Sequence, residues 1–212
     1  NRVAYTIKEI YYTIQGEGRH TGRPMIFCRF AGCNLWNGRE QDRMQAVCKF
    51  CDTDFIGTDG ANGGKYDSTA LVEKILTLWP KDCGIQPAVV FTGGEPALQI
   101  DETLIAEMKK SEIYIAVETN GTIPLPDGLD WICVSPKGDA VIKQKTGNEL
   151  KLVYPQPENQ PKQFEGLDFK YFYLQPLEDE FWIQNTAAAV EYVKSHPKWR
   201  LSVQTHKYIN IP

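Results

Sequence analysis

Cys33, Cys48 and Cys51 stand in a C-x14-C-x2-C pattern, with no fourth cysteine close downstream. A closed structural metal site takes four protein ligands, whereas a catalytic one keeps a position open. Three thiolates on an iron–sulfur cubane leave one iron without a protein ligand, free to bind a small molecule. Cys48 and Cys51 can bite one metal centre from a single turn, and Cys33 must join them from the far end of the intervening stretch. The competing reading is a zinc site completed by Cys28 or by one of the three histidines, His20, His196 and His206. Downstream, Thr92-Gly93-Gly94-Glu95-Pro96 closes an apolar run. The two glycines let backbone approach a ligand, and Glu95 can accept hydrogen bonds from an ammonium. Taken alone that motif is an ordinary turn; after a three-cysteine cluster it reads as part of a site.

These residues need elements to position them. From residue 65 on, apolar patterning alternates between strand and helix. Helices are predicted over 68–79 (capped by Ser68), 101–110 and 180–196, and strands over 26–30, 88–92, 113–118, 131–134, 149–154, 169–174 and 200–204. Strands that are apolar throughout point to a parallel sheet covered on both faces. The helices are too few for a complete eight-fold barrel, and none is evident between 118 and 150. The expected fold is therefore α/β, a small, partial, open βα barrel with reduced helix content. One domain is expected over 1–212, with a cysteine loop over about 32–54. Within it, 34–47 is polar and aperiodic, and 55–65 is a Gly-rich loop.

Bulk properties narrow the function classes. The 212 residues carry a net charge of −4 and no run of Lys or Arg, which argues against a nucleic-acid surface. No apolar stretch is long enough to span a bilayer, and residues 1–15 lack the layout of a secretion signal. The six cysteines are scattered, and Cys28 and Cys133 fall in strand-like runs where a buried free thiol is expected. A reducing, cytoplasmic setting is expected.

The cysteine pattern together with Thr92-Gly93-Gly94-Glu95-Pro96 resembles the radical S-adenosylmethionine superfamily. That resemblance implies a [4Fe–4S] cluster on Cys33, Cys48 and Cys51, with S-adenosyl-L-methionine on the open iron. The usual spacing there is C-x3-C-x2-C, so the long first gap is a departure. Gln15-Gly16-Glu17-Gly18, Arg29 within Phe27-Cys28-Arg29-Phe30, and the Cys51-Asp52-Thr53 step further resemble the 7-carboxy-7-deazaguanine synthase family, over essentially the whole chain. Some members of that family have an expanded first gap.

The family resemblance implies ring contraction of 6-carboxy-5,6,7,8-tetrahydropterin to 7-carboxy-7-deazaguanine with loss of ammonia, on the route to queuosine. It assigns cofactor binding to Phe50, Asp52, Gly94, Glu95, Ser135, Pro136, Lys137 and Gln175, with Phe50 against the adenine. It assigns substrate binding to Ile14, Gln15, Gly16, Glu17, Arg29, Thr92, His206 and Pro212, the last two in a C-terminal tail closing over the substrate. Arginine is also the natural partner of a carboxylate on chemical grounds. Thr53 would bind Mg²⁺ through its hydroxyl. A homodimer and an electron donor such as flavodoxin are implied, with no nucleic-acid or membrane partner. The rival readings are a glycyl-radical-enzyme activase, which leaves Gln15–Gly18 and Arg29 without a role, and a zinc-stapled binding module without catalysis.

Overall fold

The computed structural model describes residues 4–212; the first three positions of the expected 1–212 domain lie outside the described residues. Nine strands form one sheet: β1 (Tyr5–Ile14), β2 (Pro24–Phe30), β3 (Gly64–Tyr66), β4 (Ala88–Gly93), β5 (Tyr114–Thr119), β6 (Trp131–Val134), β7 (Thr146–Tyr154), β8 (Asp168–Pro176) and β9 (Trp199–Leu201). Their order is β3-β1-β2-β4-β5-β6-β7-β8-β9. β1 runs antiparallel to β2 and β3, and every pairing from β2 to β9 is parallel. β3 and β9 are the two edges and do not pair, so the barrel stays open.

Three helices cover the outer face: α1 (Ser68–Leu78), α2 (Glu102–Lys110) and α3 (Trp182–Ser195). α1 buries Leu71, Val72 and Ile75, and α2 buries Leu104, Ile105 and Met108, at the helical spacing visible in the sequence. The cap of α1 is Asp67 rather than Ser68. Its carboxylate accepts the Ala70 N–H at 2.7 Å, and that charged acceptor displaces a hydroxyl one residue on. Asp101 caps α2 in the same way, through the Leu104 N–H. No helix lies between β5 and β7, as expected. Among the described residues no helix is long and apolar enough to cross a membrane.

The larger apolar cluster sits under α1 and α2 and includes Ile10, Ile26, Cys28, Phe91 and Ile115. A second, under α3, centres on Leu150, Phe172, Leu174 and Trp199. Cys28 and Cys133 are buried free thiols, and burial pushes both up in pKa. Two strands fall where the sequence reading saw none. β1 is interrupted by a bulge between Ile7 and Glu9, which breaks its alternation, and β3 is a short edge piece of the Gly-rich loop. The tail also differs. The predicted last strand shortens to β9, and Thr205–Tyr208 forms one further helical turn, α4.

Candidate active site

At the carboxyl ends of the parallel strands lies a cavity of about 470 Å³. That is the end at which βα barrels bind ligands. Nineteen of the twenty residues singled out from sequence line it. Pro136 does not: it is buried behind, its carbonyl accepting from Gln156 Nε2 at 3.1 Å.

One wall is the cysteine loop. Its base is pinned where Gly32 N donates to Phe55 O at 3.1 Å and Glu95 N donates to Gly32 O at 2.8 Å. A Cβ on Gly94 would stand 1.8 Å from that Gly32 oxygen. The need for glycine here comes from the loop's backbone as much as from any ligand. The polar insert turns back on itself, with Val47 N and Cys48 N both donating to Leu35 O, at 3.1 and 3.4 Å. Residues 36–46 are thus a compact Ω-type excursion. Cut at the pinch, the chain reads Cys33-Asn34-Leu35-Val47-Cys48, so the long first gap collapses to C-x3-C.

The excursion has its own small core. Trp36 packs edge-on against Phe55, and Arg43 lies over the Trp36 ring at 4.2 Å while donating to the Lys49 and Cys51 carbonyls. Lys8 anchors the far side, bonded to Ile56 O at 2.9 Å and paired with Asp54 and Asp59.

All three thiols are free. Cys33 Sγ accepts the Leu35 N–H at 3.4 Å, and burial raises the pKa of both Cys33 and Cys48. Among the described residues no three His, Cys, Asp or Glu side chains converge on a single-ion site. Zinc would need such convergence; a cubane takes each thiolate on a different iron. The donor set, three soft thiols at the edge of one cavity, fits a cubane with an open corner. Thr53, half-buried, donates its hydroxyl to Asp52 at 3.3 Å with Asp54 nearby in the chain, an oxygen-rich setting that suits Mg²⁺.

The opposite wall is made of strand ends. Glu95 is 1 % exposed and accepts from Asn120 N (2.6 Å), Thr119 Oγ1 (2.7 Å) and Ala97 N (2.9 Å), which leaves one lone-pair position of its carboxylate. Burial raises its pKa against those three donors. Ser135 accepts from Lys137 Nζ at 3.0 Å, and the same ammonium lies 5.3 Å from the Phe50 ring across the cavity.

Arg29 projects from β2, with Nε on Glu9 at 2.9 Å, one amino group on Gly93 O at 2.9 Å and the other near the Tyr11 hydroxyl at 3.4 Å. Cys28 points the other way, into the core. Gln15 accepts from Glu17 N at 3.1 Å. Glu17 receives Gln175 Nε2 at 2.7 Å and Lys151 Nζ at 2.9 Å. Burial opposes its charge, but Lys151 and Gln175 hold its pKa well below the carboxylate range.

The C-terminal segment closes the rim. Thr205 N donates to Gly16 O at 2.9 Å, and a Cβ on Gly16 would collide with His206, at 2.2 Å from Nδ1. The Thr13 hydroxyl donates to Pro212 O at 3.3 Å. Lys207 bridges Asp52 of the cysteine loop (2.9 Å) and Glu178 beyond β8. Sequence reasoning missed Glu9, Tyr11, Glu118, Lys151 and Lys207, all at the cavity. Alternation along β7 could have placed Lys151 on the face of Glu149 and Val153, but nothing in the sequence names that face as a cavity.

An open βα sheet with a cavity at its strand ends, walled by free thiols and the buried Glu95 carboxylate, is the architecture of an enzyme. No family model matches the chain. Curated relatives do: 7-carboxy-7-deazaguanine synthase of Caulobacter vibrioides is 56% identical over 99% of this chain and 100% of its own length. Its namesake in Burkholderia multivorans is 54% identical over the same shares. Among solved structures, that of QueE from Escherichia coli superposes with a TM-score of 0.74 at 26% identity, covering 97% of this chain and 96% of its own. The chain belongs to the 7-carboxy-7-deazaguanine synthase family.

Proposed function

We propose that this enzyme converts 6-carboxy-5,6,7,8-tetrahydropterin to 7-carboxy-7-deazaguanine with loss of ammonia, as a lyase of the radical S-adenosylmethionine type. The observation that carries the proposal is a single cavity lined at one side by three free thiols with Gly94, Glu95, Ser135 and Lys137, and at the other by Gln15, Glu17, Arg29 and Thr92. Cys33, Cys48 and Cys51 would hold the [4Fe–4S] cluster, which supplies the electron that splits S-adenosylmethionine and so starts hydrogen abstraction. The remaining work falls to the chain itself.

Arg29 keeps an N–H on each terminal nitrogen after its bonds to Gly93 and Tyr11, enough to fork a ligand carboxylate. Thr53 would help hold Mg²⁺, an ion that favours oxygen ligands and would supply positive charge for the substrate carboxylate. Glu17, with its backbone neighbours Ile14 to Gly16, presents acceptors suited to the N–H edge of a pteridine. Glu95 has one lone-pair position for the cofactor's ammonium, while Asp52, Lys137 and Gln175 border the rest of that subsite. His206 and Pro212 cap the substrate end, excluding water. A flavodoxin-like electron donor, a homodimer and a cytoplasmic setting complete the proposal.

The test is anaerobic incubation with S-adenosylmethionine, reductant and the carboxypterin. The deazapurine product supports the reading; intact pterin in the presence of a full complement of about four irons per chain defeats it.

A further inference from the structure

Lys151 is the most unusual side chain at the cavity. Its side chain is 6% exposed, and its ammonium lies 2.9 Å from Glu17 and 3.2 Å from Glu118, whose side chains are 15% and 20% exposed. Three strand regions meet there: Lys151 on β7, Glu118 on β5 and Glu17 just beyond β1. A second layer braces the cluster. Gln15 Nε2 reaches Glu118 at 3.5 Å, and Gln175 bonds Glu17. Ser202 donates to Gln175 at 2.9 Å and accepts from Gly18 N at 3.0 Å. Two carboxylates facing one ammonium leave one negative charge surplus at the cavity floor.

We propose that Lys151 is a positioning residue that, as the shared counter-cation of Glu17 and Glu118, fixes both carboxylates as charged acceptors for the N–H donors of the pteridine edge. The proposal rests on the function proposed above. Taking two carboxylates out of water costs several kcal/mol each unless a cation compensates. Without Lys151, a buried carboxylate gains by taking up a proton, which turns an acceptor into a donor facing other donors. The other charged or titratable groups around the cluster are Glu149 and Cys133 below Lys151, His206 and Asp52 beside Glu17, and Tyr11 beside Glu118. None of these replaces a cation on both carboxylates at once: among the ion pairs of the described residues, Lys151 alone contacts Glu17 and Glu118.

The test measures binding of 6-carboxypterin to the anaerobically reconstituted protein between pH 6 and 9, alongside the carboxyl ¹³C shift of Glu17. Lys151→Met should raise the Kd about tenfold or more at pH 7, with the loss shrinking as pH rises and the proton leaves. Lys151→Arg should stay close to wild type, and Glu17 in the wild type should be ionised throughout. An unchanged Kd in Lys151→Met, or a loss of the same factor at every pH, overturns the proposal, as does a protonated Glu17 at pH 7 in the wild type. Where Lys151→Met does not fold, the double variant Lys151→Met with Glu118→Gln removes one charge of each sign. Recovery of folding supports the shared counter-cation, and persistent misfolding overturns it. A wild type that does not bind the pterin defeats the functional reading, while the Glu17 shift still judges Lys151.

Discussion

The two walls of the cavity are built by different physics. The strand wall carries Glu118, Lys151 and Gln175 on a continuous parallel ladder, with Glu95 just beyond the end of β4, and its polar atoms are paired with one another. The cysteine wall has no regular structure beyond one 3-10 turn over Glu40–Gln45. It is held by a few clamps, namely Gly32–Phe55, Leu35 with Val47 and Cys48, Arg43 and Lys8. A ladder shares its cooperativity across the sheet, whereas a clamped loop depends on each contact separately. The strand wall is thus set by folding, and the loop wall by folding together with whatever its thiols hold.

The sharpest break of this contrast is Cys48→Ala. It should abolish iron–sulfur absorbance and turnover while the thermal unfolding midpoint of the apo protein moves little, because the sheet does not rest on that thiol. Next is Gly94→Ala, at the seam between the walls. With a Cβ 1.8 Å from Gly32 O, backbone must move, and stability should fall by roughly 3 kcal/mol in denaturant melts, at the severe end of single substitutions.

Removing Ile211 and Pro212 takes away the bond from Thr13 and part of the rim. The substrate KM should rise roughly tenfold, about 1.4 kcal/mol, with iron content unchanged; an unchanged KM would show that the tail has no part in binding. A smaller effect is expected from excising residues 36–46 and joining Leu35 to Val47. Iron content should fall only in part, since the pinch keeps those residues together while the Arg43 bonds to the Lys49 and Cys51 carbonyls are lost, and complete loss of the cluster would show that the Ω-loop shapes the site itself.

The smallest effect is that of Lys207→Ala, which unlatches the tail from the loop. Its partners are half exposed, so stability should fall by only about 0.5 kcal/mol. Burial works against the charge of Asp52, but its bond to Lys207 prevails and holds its pKa below the ordinary carboxylate value. A depressed carboxylate contributes stability above its unfolded pKa and loses it as pH falls. The gap between wild type and variant should therefore be full at neutral pH and close below about pH 4.

Much of this was legible in the residues. Largely apolar runs marked β4 to β8, because parallel strands covered on both faces are mostly apolar. The helical spacing of Leu71, Val72 and Ile75 marked α1. The thiols and Gly-Gly-Glu were legible because their chemistry is local and their spacing short. β1 was not, since its bulge shifts the alternation between Ile7 and Glu9. Glu118 and Lys151 were not, since a charged residue within a strand declares itself only when its neighbours in space are known.

By itself, then, the sequence determined the kind of sheet, the three thiols and the family, because each rests on short-range pattern or on residue chemistry. The tertiary structure alone decided that residues 36–46 loop out between Leu35 and Val47, which makes the long cysteine gap a short one. It alone brought Glu17, Glu118 and Lys151 from three distant segments to one ammonium. Both depend on contacts between residues far apart in the chain, and such contacts exist only once the sheet has assembled.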